Sequence, residues 1–148
     1  MTDISTLGEF GLIDRMTEGL ELRNASTLRG VGDDCAVLQY SSEAADPRRL
    51  LVTTDMLMEG IHFDLTYTPL KHLGYKAAMV NLSDVYAMNA RPRQLLVSIA
   101  VGRKCKVEHL DERDAGLRLA GERQGVDLVG GDTTSSLTGL AISITCVG

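Results

Sequence analysis

The sequence lacks the features that mark three common classes of protein. It has no block of lysine and arginine, and its formal net charge is −5. Because a nucleic-acid surface normally carries a basic stripe, we expect no nucleic-acid partner. The three cysteines are widely spaced and form no Cys-x-x-Cys pair, which indicates reduced thiols. No apolar run is long enough to cross a membrane, and residues 1–10 lack the apolar core of a signal peptide. We therefore expect a cytoplasmic protein without membrane association.

What the chain does contain is enough apolar material for one domain, with 44% hydrophobic residues among 148. Periodicity and turn residues predict elements in the order helix, strand, strand, helix, strand, helix, strand, strand. In chain order these are residues 7–16, 35–39, 50–56, 70–88, 95–101, 107–124, 126–129 and 140–146, with a loop at 26–34 and a turn at 41–48.

From this order we expect an α+β domain (mixed α/β, two layers), in which a mixed four-stranded sheet carries helices on one face. The opposite face of the sheet is also apolar, judging from Val52, Leu96, Ala100 and Ala141. A small two-layer domain cannot leave such a face in water, so we expect it to pack on a second copy in a homodimer.

Four short acidic motifs are the most informative feature of the chain. They are Gly-Val-Gly-Asp-Asp-Cys at 30–35, Thr-Thr-Asp at 53–55, Asn-Leu-Ser-Asp at 81–84 and Gly-Gly-Asp-Thr-Thr at 130–134. Each pairs a carboxylate with small or hydroxylated residues at the edge of an apolar segment. Mg²⁺ prefers oxygen ligands and commonly bridges carboxylates to substrate phosphates. Together the motifs predict one shared site for divalent cations and phosphate.

Each motif also has a plain structural explanation. Glycine and aspartate at 30–34 are common in turns. Asn81 and Asp84 lie three residues apart in the predicted helix, so we expect them to point the same way, and they could form a solvated strip. Alternation in the strand puts Asp55 on the same side as Thr53 and turns Thr54 away, so that a metal contact of Thr54 would use its carbonyl oxygen. The Gly-Gly-Asp motif is no Walker loop, since no lysine follows it. A lone histidine such as His62 is more often structural than a ligand.

The motifs and their neighbours, taken in order, resemble one family. The matching segments are Gly32-Asp33-Asp34-Cys35-Ala36-Val37-Leu38, Thr53-Thr54-Asp55-Met56, Glu59-Gly60-Ile61-His62-Phe63, Asn81-Leu82-Ser83-Asp84 and Leu128-Val129-Gly130-Gly131-Asp132-Thr133-Thr134. They resemble thiamine-monophosphate kinase, whose superfamily includes aminoimidazole ribonucleotide synthetase and selenophosphate synthetase. The resemblance implies transfer of the ATP γ-phosphoryl group to thiamine monophosphate, giving thiamine diphosphate. The acceptor is already an anionic phosphate, so no catalytic general base is expected.

The resemblance also implies roles for individual residues. It implies Mg²⁺ ions held by Asp34, Thr53, Thr54, Asp55, Asp84 and Asp132. It implies that Gly131 and Asp132 contact ATP and that His62 contacts the phosphate of thiamine monophosphate. One departure is the pair Arg113 and Asp114, which stand where the family often has aromatic residues, so a nucleotide contact from there is in doubt.

The family continues into a second domain. We therefore expect residues 1–148 to be an N-terminal domain for ATP and Mg²⁺ binding and for dimerisation, without the C-terminal domain and with little or no kinase activity alone. Two other functions stay open: a related ATP-dependent synthetase of the same superfamily, and a non-catalytic dimerisation module.

Overall fold

The computed structural model describes residues 6–39 and 48–148. In these ranges the chain forms three helices and six strands: α1 (Gly8–Thr17), β1 (Thr27–Arg29), β2 (Ala36–Leu38), β3 (Leu50–Met58), α2 (Leu70–Ala87), β4 (Gln94–Gly102), α3 (Val107–Gln124), β5 (Asp127–Ser136) and β6 (Ala141–Val147). All eight elements expected from the pattern are present, with shifted ends. The expected turn at 41–48 lies, except for its last residue, outside the described residues.

The strands form one mixed sheet in the order β1-β2-β3-β6-β4-β5. Only β4 and β5 pair in parallel, and the other neighbours are antiparallel. The expected class is confirmed, but the expectation of a four-stranded sheet is wrong, because the sheet has six strands. Five of them correspond to the five strands in the predicted element order. The strand without a counterpart in the pattern is β1, within the segment expected to be a loop. Three residues are too few to show a period of two.

Strand β5 is longer than expected. It continues through Gly130 and Gly131 to Ser136, because β4 supplies a ladder partner along its whole length. Glycine is disfavoured in strands, so the local pattern stops at Val129, whereas pairing with a neighbour overrides that preference.

Helices α2 and α3 cover one face of the sheet. The fully buried side chains lie between the layers and include Leu73 and Leu82 from α2 and Ile142 and Ile144 from β6. The two helices cross in backbone contact at Gly74: a Cβ atom there would lie 1.9 Å from the carbonyl oxygen of Arg113. This crossing fixes the distance between α2 and α3.

Within residues 6–39 and 48–148, no helix covers the opposite face of the sheet. Val52, Leu96, Ala100 and Ala141 all lie on this uncovered face, as the strand registers show, and the sequence-based expectation for them is confirmed. Leu96 is 39% exposed, and Met56 on the same face is 57% exposed. Helix α1 also has no buried residue. None of the described helices is long and apolar enough to cross a membrane.

Candidate phosphate and metal site

The centre of the candidate site is a pair of carboxylates, Asp55 on β3 and Asp84 on α2. The hydroxyl of Thr53 donates to Oδ2 of Asp84 at 2.9 Å. The amide of Asp55 donates to Oδ1 of Asn81 at 3.1 Å, and Nδ2 of Asn81 donates to the carbonyl of Ala77 at 3.1 Å. The i, i+3 spacing of Asn81 and Asp84 thus turns both toward β3, as expected from the sequence.

Asp55 and Asp84 perturb one another electrostatically. The pKa of Asp55 lies above its usual value, first because the group is partly buried, and then because Asp84 adds a like charge and shares a hydrogen bond with it. The charge of His62 acts in the opposite direction. Two carboxylates in one site favour either a shared proton or a bound cation. A hard divalent cation fits this donor set, which consists of oxygens.

Within the described ranges, no group of three or more His, Cys, Asp or Glu side chains is close enough to hold one ion. Mg²⁺ usually takes one or two carboxylates from the protein and completes its shell with waters and substrate phosphates. The pair Asp55 and Asp84 therefore supplies enough protein ligands for such an ion, provided that other oxygens come from hydroxyls, backbone carbonyls, water or substrate.

Asp34 lies at the same end of the sheet, in the loop before β2. The next residue, Cys35, is buried, and its pKa is raised to about 11 by burial and then by the charges of Asp84, Asp34 and Asp33. Asp34 precedes Cys35 directly, and the loop that carries it runs into β2, the strand next to β3. Asp33 is engaged elsewhere, in an ion pair with Arg29. The thiol of Cys35 is protonated at neutral pH and is not a nucleophile.

The two threonines of β3 lie on opposite faces, as expected. Thr53 is buried beneath α2, whereas the hydroxyl of Thr54 donates to the carbonyl of Ile144 at 3.0 Å and accepts from the hydroxyl of Thr145 at 3.2 Å. Because the Thr54 hydroxyl is on the other side of the sheet from Asp84, only its backbone carbonyl remains as a candidate ligand.

His62 follows β3 and is held by the backbone. Its Nδ1 accepts a hydrogen bond from the amide of Met58 at 3.0 Å, so a neutral ring carries its proton on Nε2. Lys76 on α2 donates from Nζ to the carbonyl of His62 at 3.1 Å. Nothing in the sequence pattern singles out Lys76, since it is an exposed lysine on a helix, yet it brings a positive charge to this loop.

Gly131 and Asp132 lie elsewhere, on the edge strand β5. Asp55 is in register with Ile144 on β6, which is in register with Val97 on β4, which pairs with Gly131. Three strand spacings of about 4.8 Å make this separation about 14 Å. The structure therefore brings Asp55 and Asp84 together beside β3, with Asp34 in the loop that leads into the neighbouring β2. It leaves Asp132 three strands away on β5, against the expectation that all four aspartates converge within one chain.

Gly131 is required where it stands. A Cβ atom at this position would lie 1.7 Å from the carbonyl oxygen of Val97, so no other residue fits without moving the strand. Oδ1 of Asp132 accepts from the amide of Thr133 at 2.8 Å. A cavity of about 490 Å³ opens beside this segment, toward Arg113 and Asp114 on α3. Gly130, Gly131 and Asp132 line this cavity, and a Cβ at Gly130 would meet nothing within 4 Å.

A larger cavity, about 550 Å³, lies at the start of helices α2 and α3. Its lining includes Arg103, Lys104 and His109 together with Glu59, whose Oε2 accepts from the amide of Leu140 at 2.8 Å. None of the aspartates predicted to bind metal is among the lining residues. The sequence gives no sign of this cavity, because its walls come from three separate connections and the ends of the elements that they join.

Comparison with known proteins defines the class. The model of the family described as AIR synthase related protein, N-terminal domain, matches residues 32–148. The chain belongs to this family.

Within the family, the chain is similar to proteins named thiamine-monophosphate kinase. It is 36% identical to the one from Aquifex aeolicus over 145 residues, which cover 98% of this chain and 43% of the relative. It is 37% identical to the one from Corynebacterium glutamicum, with 98% and 41% covered. The solved structure of AaThiL complexed with AMPPCP and TMP matches with a TM-score of 0.86 and 34% identity, over 100% of this chain and 44% of that chain. The resemblance seen in the motifs is confirmed, and the chain spans less than half the length of these relatives.

Proposed function

We propose that this chain is the ATP- and Mg²⁺-binding N-terminal domain of a thiamine-monophosphate kinase, an enzyme that transfers the γ-phosphoryl group of ATP to thiamine monophosphate. The observation that carries the proposal is the carboxylate pair Asp55 and Asp84 between β3 and α2. The hydroxyl of Thr53 donates a hydrogen bond to Asp84, and the amide of Asp55 donates one to Asn81. The relatives named thiamine-monophosphate kinase support the choice of reaction.

The chemistry of the donor set supports Mg²⁺ as the partner of this pair. The raised pKa of Asp55 means that the ionised pair is disfavoured without a counter-charge. We propose Asp55 and Asp84 as side-chain ligands of one Mg²⁺, together with oxygens of Thr53 and Thr54. We propose Asp34 as a ligand of a further Mg²⁺ whose other ligands are water and substrate phosphates. When bound, Mg²⁺ neutralises charge on the phosphates and holds them in line.

The protein itself has two tasks in such a transfer. It must hold two polyanions in line, and it must keep water from the reacting phosphoryl group; the acceptor phosphate needs no base. We propose that His62 contacts the phosphate of thiamine monophosphate, since its ring is fixed through Nδ1 and its Nε2 is left to donate. Lys76 supports this loop through the carbonyl of the same residue.

At the edge strand β5, we propose that Gly131 and Asp132 bind ATP. The open space at Gly130, where a Cβ would meet nothing within 4 Å, and the cavity beside it support close approach of a ligand to the backbone. We further propose that Asp132 binds Mg²⁺ there as part of the nucleotide complex, because a carboxylate next to a triphosphate needs a cation between them.

We also propose that the chain forms a homodimer through the uncovered face of its sheet. The exposure of Leu96 and Met56 on this face supports a partner surface. A cytoplasmic location is proposed on the basis of the free thiols, among them the buried Cys35 and Cys146.

The test is formation of thiamine diphosphate from thiamine monophosphate and ATP with Mg²⁺. The chain is assayed alone and joined to the C-terminal segment of the Aquifex aeolicus relative, since it matches only 43% of that protein. We expect little activity from the chain alone and product from the joined protein. Asp84→Asn should lower the rate by about 10³-fold, the size of effect that a charge contact has in phosphoryl transfer.

Asp33→Asn is the matched control. It removes a carboxylate of the same motif that is engaged with Arg29 rather than with the pair, and it should keep the rate within about threefold, as exposed ion pairs contribute little. Full activity in Asp84→Asn would contradict the proposed metal site. A joined protein that folds and binds ATP but makes no thiamine diphosphate would refute the proposed substrate.

A further inference from the structure

The cavity of about 550 Å³ at the start of α2 and α3 has no role in the proposed function. Three connections form its walls: the one after β3, the one between β4 and α3, and the one between β5 and β6. Neither Asp55 nor Asp84 lines it, and the β5 segment at 130–132 lies outside it. Because its volume is in the range of small-molecule sites, it is a candidate for a second, separate ligand site.

Two cations lie in the wall of this cavity, Arg103 and Lys104 in the connection between β4 and α3. Both residues are exposed, whereas Arg113 further along the chain is only 5% exposed. Within residues 6–39 and 48–148, neither side chain makes a hydrogen bond or an ion pair. Since they are accessible and unpaired, Arg103 and Lys104 can bind an anion without first breaking a contact inside the protein.

His109 in the first turn of α3 adds a third donor to the same wall. Its Nδ1 accepts a hydrogen bond from the amide of Lys106 at 3.2 Å, which holds the ring at the start of the helix. A neutral ring therefore carries its proton on Nε2, which is left to donate. The N-terminus of α3 also carries a partial positive charge, which favours an anion nearby.

Glu59 is the one acid among the described residues that line the cavity. Its Oε2 already accepts a hydrogen bond from the amide of Leu140 at 2.8 Å. With two cations against one carboxylate, the lining has a net positive charge, although the whole chain has a net charge of −5. The pair Asp55 and Asp84 needs a cation before it can meet a phosphate, whereas this cavity supplies the positive charge itself.

The cavity also has an apolar part and a wall that is held in place. The apolar side chains in the lining are those of Leu65, Leu70, Leu137 and Leu140. In the connection between β5 and β6, Oγ of Ser136 accepts hydrogen bonds from the amides of Thr138 and Gly139, each at 3.2 Å. Because these bonds fix the wall before a ligand arrives, binding does not have to order it.

We propose that this cavity binds a phosphate monoester with a small, uncharged apolar body, and that it does so without Mg²⁺. Arg103, Lys104 and Nε2 of His109 contact the phosphate, and the leucines contact the body. Three donors match the three terminal oxygens of a monoester, and two unpaired cations match its double negative charge. The proposal goes beyond the proposed function, because it assigns a second site that needs neither ATP nor the metal pair.

A nuclear magnetic resonance titration of the isotope-labelled chain in EDTA tests this with 1-naphthyl phosphate as the probe. We expect shifts of the backbone amides of residues 102–106 and 137–140, with a dissociation constant on the order of 1 mM for a ligand of this size. Inorganic phosphate lacks the body and 1-naphthol lacks the charge, so each should bind at least about tenfold more weakly. Without divalent cations, the pair Asp55 and Asp84 repels the probe.

A double variant with Arg103→Gln and Lys104→Gln should weaken binding of 1-naphthyl phosphate by about tenfold. Arg93→Gln is the matched control, because Arg93 is an exposed arginine just before the other end of β4. It removes the same kind of charge far from the cavity and should leave the affinity for the probe unchanged.

Unchanged affinity in the double variant would overturn the proposal, as would 1-naphthol or inorganic phosphate binding as tightly as the probe. Shifts confined to the uncovered face of the sheet would do the same. An equal loss in Arg93→Gln would show a general attraction of charge and would also overturn it. Since the titration contains neither ATP nor Mg²⁺, its failure and the failure of the proposed kinase function are distinguishable.

Discussion

Replacement of Gly74 by alanine tests the crossing of α2 and α3, on which the positions of Asp84 and Arg113 both depend. The new Cβ would lie 1.9 Å from the carbonyl oxygen of Arg113, 2.9 Å from its carbonyl carbon and 3.0 Å from the amide nitrogen of Leu117. Ordinary contact begins at 3.4 Å, so the closest pair must separate by about 1.5 Å. All three atoms belong to the backbone of a helix, and no side-chain rotation can relieve the clash.

The energy of this change follows from two opposing effects. Overpacking of a core costs about 1–3 kcal/mol, and this site belongs at the upper end because a whole helix must shift. Alanine gains about 1 kcal/mol over glycine in helix propensity. We therefore expect Gly74→Ala to lower the free energy of unfolding by about 2 kcal/mol or more, a large part of the stability of a small domain.

Urea unfolding followed by far-ultraviolet circular dichroism measures this loss as a lower midpoint at an unchanged slope. Gly11→Ala on α1 is the control, since its Cβ meets only Leu7 Cβ, at 3.5 Å, and the midpoint should not fall. Gly116→Ala approaches the same crossing from the other side, with a Cβ 1.8 Å from the carbonyl oxygen of Lys71, and should behave like Gly74→Ala. An unchanged midpoint in Gly74→Ala would refute the packing described for the two helices.

Two further predictions concern the acidic pair and the uncovered face. Because the folded pKa of Asp55 is raised, its contribution to stability is fully present below the unfolded value of 3.8 and is lost as pH rises through the folded value. In buffer without divalent cations, Asp55→Asn should therefore be more stable than the wild type at pH 7. In thermal unfolding, its stability should depend less on pH across the range in which Asp55 titrates. A variant less stable than the wild type at pH 7 contradicts the repulsion between Asp55 and Asp84. Leu96→Arg puts a charge in the middle of the uncovered face and should convert the dimer into a monomer, as measured by sedimentation. A wild-type chain that is monomeric at micromolar concentration would refute the proposed interface.

The local parts of the site could be predicted from the sequence because they depend on short-range periodicity. Alternation along β3 correctly separates Thr53 and Asp55 from Thr54. The spacing of Asn81 and Asp84 correctly puts both on the β3 side of α2. In each case the relevant distance is two or three residues, which strand and helix geometry fixes without knowledge of the rest of the fold.

The position of Asp132 could not be predicted in the same way. It depends on the order of strands in the sheet, and β6, the last strand in sequence, lies between β3 and β4. Pairing between segments far apart in the chain leaves no periodic mark in either of them. Acidic motifs that meet in space and motifs that do not therefore look alike in sequence. The burial of Arg113 also depends on such contacts, since its surroundings come from α2 and the sheet.

The separation of the two candidate regions has a consequence for the complete site. Asp55 and Gly131 belong to one row of residues in register across the sheet, with Ile144 and Val97 between them. Ile144 is fully buried beneath α2. A nucleotide cannot cross from one region to the other through this core. Asp132 pairs with Ser98, in the register of the uncovered face. ATP bound near Asp132 can meet a substrate near His62 only over the surface of the sheet, which this chain does not cover by itself. A second copy on the uncovered face or a further domain therefore has to complete the site.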